Sequence, residues 1–167
     1  CRANRTGLGG WDVWVPADAP APLAALEAAV PFLDADAVEA ARIEAGVPQW
    51  GADAHGKTLP PELGPAWERR AVSYDKGCYT GQEVLHRIHA RGHTNKNWVG
   101  LVAERPIPAG SSVAFGSRSE VGHVTSSAFS PDLGYVAGAM LRNEAAADGE
   151  IVVVATPEGP VPAEVRR

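Results

Sequence analysis

From residue 98 onward the chain repeats one pattern that leaves few folds open: six short runs rich in β-branched and aromatic residues, most of them closed by a turn. The runs are 98–103, 112–115, 120–126, 135–141, 150–155 and 161–165. Pro108-Ala109-Gly110, Gly116-Ser117, Ser130-Pro131-Asp132 and Asp148-Gly149 separate most of them. Short strands spaced by about eight to twelve residues are the cue for a small barrel or sandwich. An all-β module is expected over residues 95–167.

The first part of the chain reads differently. Trp11-Asp12-Val13-Trp14-Val15 follows Gly7, Gly9 and Gly10 and stops at Pro16, which predicts a short strand after a glycine turn. Residues 23–30 are strong helix formers bounded by Pro22 and Pro31. A second helix follows, capped by Asp34 or Asp36, with Val38, Ala41 and Ala45 at helical spacing and Gly46 and Pro48 ending it. Residues 47–71 are rich in glycine and proline without a period and read as a long ordered connector. The chain as a whole is therefore expected to be α+β. It opens on Cys1-Arg2-Ala3-Asn4-Arg5 and runs almost at once into strand-like sequence, the expected appearance of a chain whose N-terminal part lies elsewhere.

Charge and cysteine content narrow the function classes. Fifteen basic against twenty acidic residues give a formal charge of −5, whose overall field repels nucleic acid and anionic membrane. Residues 69–97 run against this trend at +4, with Arg69, Arg70, Lys76, Arg87, Arg91 and Lys96 against Asp75 and Glu83. An anionic ligand or partner would be drawn to that stretch, and a solvated basic face accounts for it equally well. No window is long and apolar enough for a membrane span, and a cytoplasmic location is the default expectation. Two distant cysteines argue for free thiols. The sequence holds no phosphate-binding Gly-rich loop ending in Lys-Ser or Lys-Thr, no Gly-x-Ser-x-Gly elbow and no His-Glu-x-x-His.

One segment can carry chemistry. Thr80-Gly81-Gln82-Glu83 fits a capping box, which predicts a helix from Gly81 with Val84, Leu85 and Ile88 on one face and Gly92 as its left-handed stop. Cys78 then sits just before the positive end of the helix, two residues from Lys76, where a thiolate is favoured. Gly77 and Gly81 permit close backbone approach, and Tyr79 can cover one side of a pocket. The competing reading is a small buried cysteine in a turn, since free cysteine is among the most buried residue types. His86, His89 and His93 lie nearby, but they lack a second cysteine or a standard ligand spacing, so no metal site is assigned.

The string Lys76-Gly77-Cys78-Tyr79-Thr80-Gly81-Gln82-Glu83 resembles the signature of the YgfZ proteins, relatives of the glycine-cleavage T-protein. The likeness extends through Ala41-Arg42-Ile43-Glu44-Ala45-Gly46-Val47-Pro48, Leu59-Pro60-Pro61-Glu62 and Val121-Gly122-His123-Val124-Thr125-Ser126-Ser127. It implies the C-terminal part of a ferredoxin-like folate-binding domain over residues 1–94, whose N-terminal part is expected to be missing, followed by a small antiparallel β-barrel over residues 95–167. It also implies a tetrahydrofolate-binding accessory protein, not a classical enzyme, for iron–sulfur cluster assembly or repair, including in tRNA-modifying enzymes. The partners implied are folate, iron–sulfur client proteins and, indirectly, tRNA; no membrane partner is implied. Cys78 carries over as the functional thiol with Lys76 beside it. Gly77, Tyr79, Gly81, Gln82 and Glu83 carry over as motif residues on the cofactor side, with Trp11 and Arg42. The alternative is a tetrahydrofolate-dependent aminomethyltransferase of the T-protein type. Against it, Leu8-Gly9-Gly10-Trp11 and Val38 stand where T-proteins carry a Gly-Glu pair and an arginine. A third reading, a thiol-bearing RNA-binding module, rests on the +4 stretch alone and predicts salt-dependent tRNA affinity.

Overall fold

The computed structural model describes residues 6–18 and 21–167. Cys1 therefore lies outside the described residues. Four helices, α1 (Ala21–Ala29), α2 (Ala35–Glu44), α3 (Pro65–Ala71) and α4 (Gln82–Arg91), precede six strands. These are β1 (Lys96–Ala103), β2 (Ser112–Phe115), β3 (Arg118–Ser130), β4 (Gly134–Arg142), β5 (Ile151–Thr156) and β6 (Gly159–Arg166). Each of the six β-rich runs has become a strand, and the α+β class holds. No described helix is long and apolar enough to cross a membrane.

The strands close into a barrel in the order β1-β4-β3-β2-β5-β6, antiparallel at every pairing, with β6 returning to β1. Closure removes the sheet edges that would otherwise offer unpaired backbone groups to another chain. Along β5 the alternation is plain: Val152 and Val154 are buried between exposed Ile151 and Val153. Val99, Leu101, Val113, Val124, Leu141 and Val165 join them in one core cluster. Each such side chain taken out of water contributes about 1.5–3 kcal/mol.

Strand β4 is buried on both faces from Val136 to Leu141. Ala137, Ala139 and Leu141 belong to the barrel core, and α2 packs across the outside of β3 and β4 with Ala40 and Ile43 buried. Asp34 supplies the cap of α2, its carboxylate accepting the Ala37 N–H at 2.7 Å. A side chain at Gly138 would have no room beneath this layer. A Cβ there would lie 2.7 Å from Ser126 Oγ and 2.7 Å from Trp98 Cζ2. Gly138→Ala is expected to destabilise the protein by about 1–3 kcal/mol, the usual cost of overpacking. Urea unfolding of the variant checks this, with an unchanged midpoint counting against the packing described.

Three local expectations are corrected. Residues 11–15 do not form a strand; Trp11 is a single bridge residue, and no strand precedes β1 among the described residues, so the segment has no ladder to join. The connector from 47 to 71 contains α3, preceded by a 3-10 turn at Pro60–Leu63. Its start was written in Pro65 at the first turn and its end in Arg69 and Arg70 near the negative pole. The capping box at Thr80 does not form. The N-cap is Gly81, left-handed at φ 88°, without a side-chain cap, and Glu83 pairs with Arg87 at 3.0 Å instead. Gly92 does end α4 in the left-handed conformation.

Candidate functional site

The loop from Val72 to Gly81 joins α3 to α4 and carries Cys78 near its end. Val72 closes α3 by donating to the Glu68 carbonyl at 2.9 Å, and the Gln82 N–H donates to the Tyr79 carbonyl at 3.2 Å as α4 begins. Within the loop, the Tyr79 hydroxyl donates to the Ser73 carbonyl at 3.0 Å and the Lys76 N–H donates to Ser73 Oγ at 3.2 Å. The Lys76 ammonium stands 4.8 Å from the centre of the Tyr79 ring, within cation–π range. The loop thus turns back on itself at Ser73.

Cys78 is a free, exposed thiol at the outside of this turn. That removes the buried packing role that free cysteines usually fill. Gly77, Gly81 and Glu83 are likewise exposed, while Tyr79 and Gln82 are half-buried. The structure therefore groups Lys76, Gly77, Cys78, Tyr79, Gly81, Gln82 and Glu83 at one loop–helix junction. Among the described residues no group of three or more histidine, cysteine or acidic side chains could hold a metal ion.

Beneath the turn lies a set of contacts that the sequence did not announce. Tyr74 donates to Glu68 Oε1 at 2.5 Å, stacks on His89 with ring centres 4.1 Å apart and meets His86 edge-on at 5.3 Å. Partial burial and the adjoining Glu68 carboxylate push the Tyr74 phenol up to about 12, which keeps it a neutral donor at physiological pH. His89 Nδ1 is 3.8 Å from the same carboxylate oxygen, and the Gln82 amide lies 3.0 Å from His86 Nε2. Glu68 and His89 also line a cleft of about 400 Å³ between the helices and the barrel, together with Ile88, His93, Asn97 and Asn143.

Trp11 and Arg42 lie in other parts of the fold. Trp11 is exposed on the N-terminal segment. Arg42 is buried on α2, where its guanidinium donates to the Glu39 carboxylate, to the Val47 carbonyl at 3.0 Å and to Asp53 Oδ2 at 2.7 Å. Asp53 is buried in turn and accepts from the Gln49 N–H at 2.9 Å, from Ser126 Oγ at 2.7 Å and from the Thr125 hydroxyl. Adjacent strand residues normally face opposite ways. A bulge in β3 between Val124 and Ser126 lets both hydroxyls turn to one carboxylate oxygen. Burial alone would raise the Asp53 pKa; the Thr125 hydroxyl, the Gln49 N–H, the Ser126 hydroxyl and the Arg42 charge outweigh it and hold the carboxyl below its ordinary value.

Residues 96–167 match the family model for the glycine cleavage T-protein C-terminal barrel domain. An aminomethyltransferase of Frankia alni is 32% identical over 173 residues, an alignment covering 100% of this chain and 47% of that protein. The iron-sulfur cluster assembly factor IBA57, mitochondrial, of Mus musculus is 32% identical over 146 residues, covering 86% of this chain and 39% of that protein. The crystal structure of the glycine cleavage system aminomethyltransferase T from Bartonella henselae shares the fold, with a TM-score of 0.77 at 22% identity over 98% of this chain and 46% of that one. The chain spans about half the length, or less, of these relatives.

Proposed function

We propose, from a chain whose barrel matches the T-protein C-terminal domain and which is similar over most of its length both to aminomethyltransferases and to an iron–sulfur assembly factor, that it acts as a folate-binding accessory protein of the YgfZ kind. Its work is the assembly or repair of iron–sulfur clusters in client enzymes, and Cys78 is the acting group. The observation that carries this reading is the exposed thiol on a loop whose backbone is held by Ser73 and Tyr79. An exposed thiol in such a turn is not required by the packing of the core. The likeness to the assembly factor supplies the class of client.

Tetrahydrofolate combines a flat bicyclic ring with anionic carboxylates, so its holder needs aromatic faces and cations. Tyr79 and Lys76 on the turn have that chemistry, and Trp11, on the N-terminal segment, is an exposed aromatic face elsewhere in the fold. Arg42 does not fit as a ligand contact, because it is buried against Glu39, Asp53 and Val47; we assign it to holding α2 and the connector on the barrel. When bound, folate would supply one-carbon chemistry. What this chain's own residues do is present the Cys78 sulfur to a partner, with Lys76 placing a positive charge on the same turn.

The second reading, an aminomethyltransferase, is favoured by the 32% identity to the Frankia alni protein. The two readings separate on one experiment with the full-length protein. Iron–sulfur enzyme activities are measured in cells lacking it and in cells supplied with it, and turnover of a glycine-derived aminomethyl group onto tetrahydrofolate is followed in vitro. The accessory reading expects restored enzyme activities and no aminomethyl turnover. Sustained turnover with no effect on the iron–sulfur enzymes would establish the transferase instead.

A further inference from the structure

The Cys78 turn is closed on itself at Ser73, but that alone does not fix it relative to the helices. Beyond the backbone bonds at the two ends of the loop, the residue next to Ser73 reaches both helices. Tyr74 reaches back to Glu68 on α3, which precedes the loop, and packs against His86 and His89 on α4, which follows it. One side chain thus joins both ends of the segment that carries the thiol. We propose that Tyr74 is the positioning residue for Cys78, a clasp in which its hydroxyl on Glu68 and its ring between the α4 histidines hold the thiol loop in the seam between α3 and α4.

Few side-chain hydrogen bonds tie the loop to the helices on either side. Lys76, Gly77, Cys78 and Thr80 are exposed, and Gly77 has open space where a Cβ would stand. An exposed segment with two glycines loses much conformational entropy when ordered, so each anchor changes its population of ordered states. The Tyr79 hydroxyl and the Lys76 N–H bond to Ser73, and the Lys76 ammonium faces the Tyr79 ring, all within the loop. Besides the backbone bonds at its two ends, Val72 to Glu68 and Gln82 to Tyr79, the loop reaches the helices through the Tyr74–Glu68 bond and the packing of Tyr74 on His89 and His86. The hydrogen bond is charge-assisted, since a neutral phenol donates to a carboxylate, and it is of the stronger class. Gln82, bonded to His86, gives the edge-on ring a fixed orientation and brings a motif residue into the same clasp.

This inference builds on the proposed role of Cys78, and its test separates the two. In the full-length protein, Tyr74→Ala, Tyr74→Phe and Cys78→Ala are compared by amide hydrogen exchange, by the rate of Cys78 labelling with a maleimide where the thiol is present, and by rescue of iron–sulfur enzyme activity in cells. Tyr74→Ala is expected to speed exchange in residues 73–80 by about tenfold or more, the scale of a lost hydrogen bond and stack, to change the labelling rate, and to leave the barrel strands at wild-type protection. Tyr74→Phe keeps the ring and falls between the two in exchange and in rescue. Wild-type protection of residues 73–80 in Tyr74→Ala overturns the proposal, as does loss of protection spread evenly over the barrel. Full rescue by Tyr74→Ala where Cys78→Ala gives none also overturns it. Loosening of the loop in Tyr74→Ala together with full rescue by Cys78→Ala instead fails the role of the thiol and leaves the clasp standing.

Discussion

Asp53→Ala is expected to cost about 3 kcal/mol of folding stability, the lower end of the range for stranding one member of a buried ion pair. Arg42 and Asp53 are 4% and 2% exposed, so removing the carboxylate leaves a guanidinium with little water to replace it. The value stays at the lower end because Glu39, which is only partly buried, continues to pair with Arg42. Two hydroxyls, on Thr125 and Ser126, lose their acceptor at the same time, and the Trp98 indole that donates to Thr125 Oγ1 at 3.2 Å loses a fixed partner. Each of these groups sits at the seam between α2, the connector and the barrel. Guanidinium unfolding checks the size, and a loss below about 0.5 kcal/mol, the level of an ordinary surface substitution, would show that the network is not what joins these layers.

The same carboxylate sets an acid limit. Its folded pKa lies below its unfolded value, so the stability it supplies is fully present above the unfolded pKa and is lost as the pH falls through the folded one. With an unfolded aspartate near about 3.9, the fall begins below roughly pH 4. Asp53→Asn should flatten the pH dependence of unfolding in that window and leave the neutral-to-alkaline side alone. A slope identical to wild type would locate the acid sensitivity elsewhere.

Much of the barrel was legible because its strands are written locally, as short apolar runs broken by turn residues. Even there β3 is longer than its expected run of 120–126, from Arg118 to Ser130, because its ladder with β4 continues past the bulge to Ser130 and its pairing with β2 reaches back to Arg118. The Asp53 network was not legible. A single aspartate in a glycine-rich connector carries no period, and its hydroxyl partners are 72 and 73 residues away. The adjacent hydroxyls Thr125 and Ser126 inside a β-run were the available hint. At the candidate site the octapeptide lies on one loop–helix junction, where the left-handed conformation of Gly81 takes the N-cap position in place of the Thr80 capping box. The exposure of Cys78 could not be read either, since local chemistry allowed a buried thiol as readily. Tyr74 carries no local signal, because its contacts come from helices on both sides of it.

Cys78→Ala should have the opposite profile to Asp53→Ala: a fold that is unchanged and a function that is lost. The side chain is exposed in a loop and contributes nothing to the core cluster, so the substitution removes a sulfur without opening a cavity. Its effect on stability should fall within about 0.5 kcal/mol of wild type. If the thiol is the acting group, no neighbouring side chain replaces it, since the residues around it are a lysine, two glycines, a tyrosine and a threonine. Alanine retains the backbone turn and removes only the nucleophile and soft ligand. The most direct measurement is therefore to supply cells lacking the protein with the full-length wild type or with Cys78→Ala at matched abundance and assay their iron–sulfur enzymes. The account predicts recovery with the wild type and, with the variant, activities no higher than in cells lacking the protein. Full recovery with Cys78→Ala would contradict it.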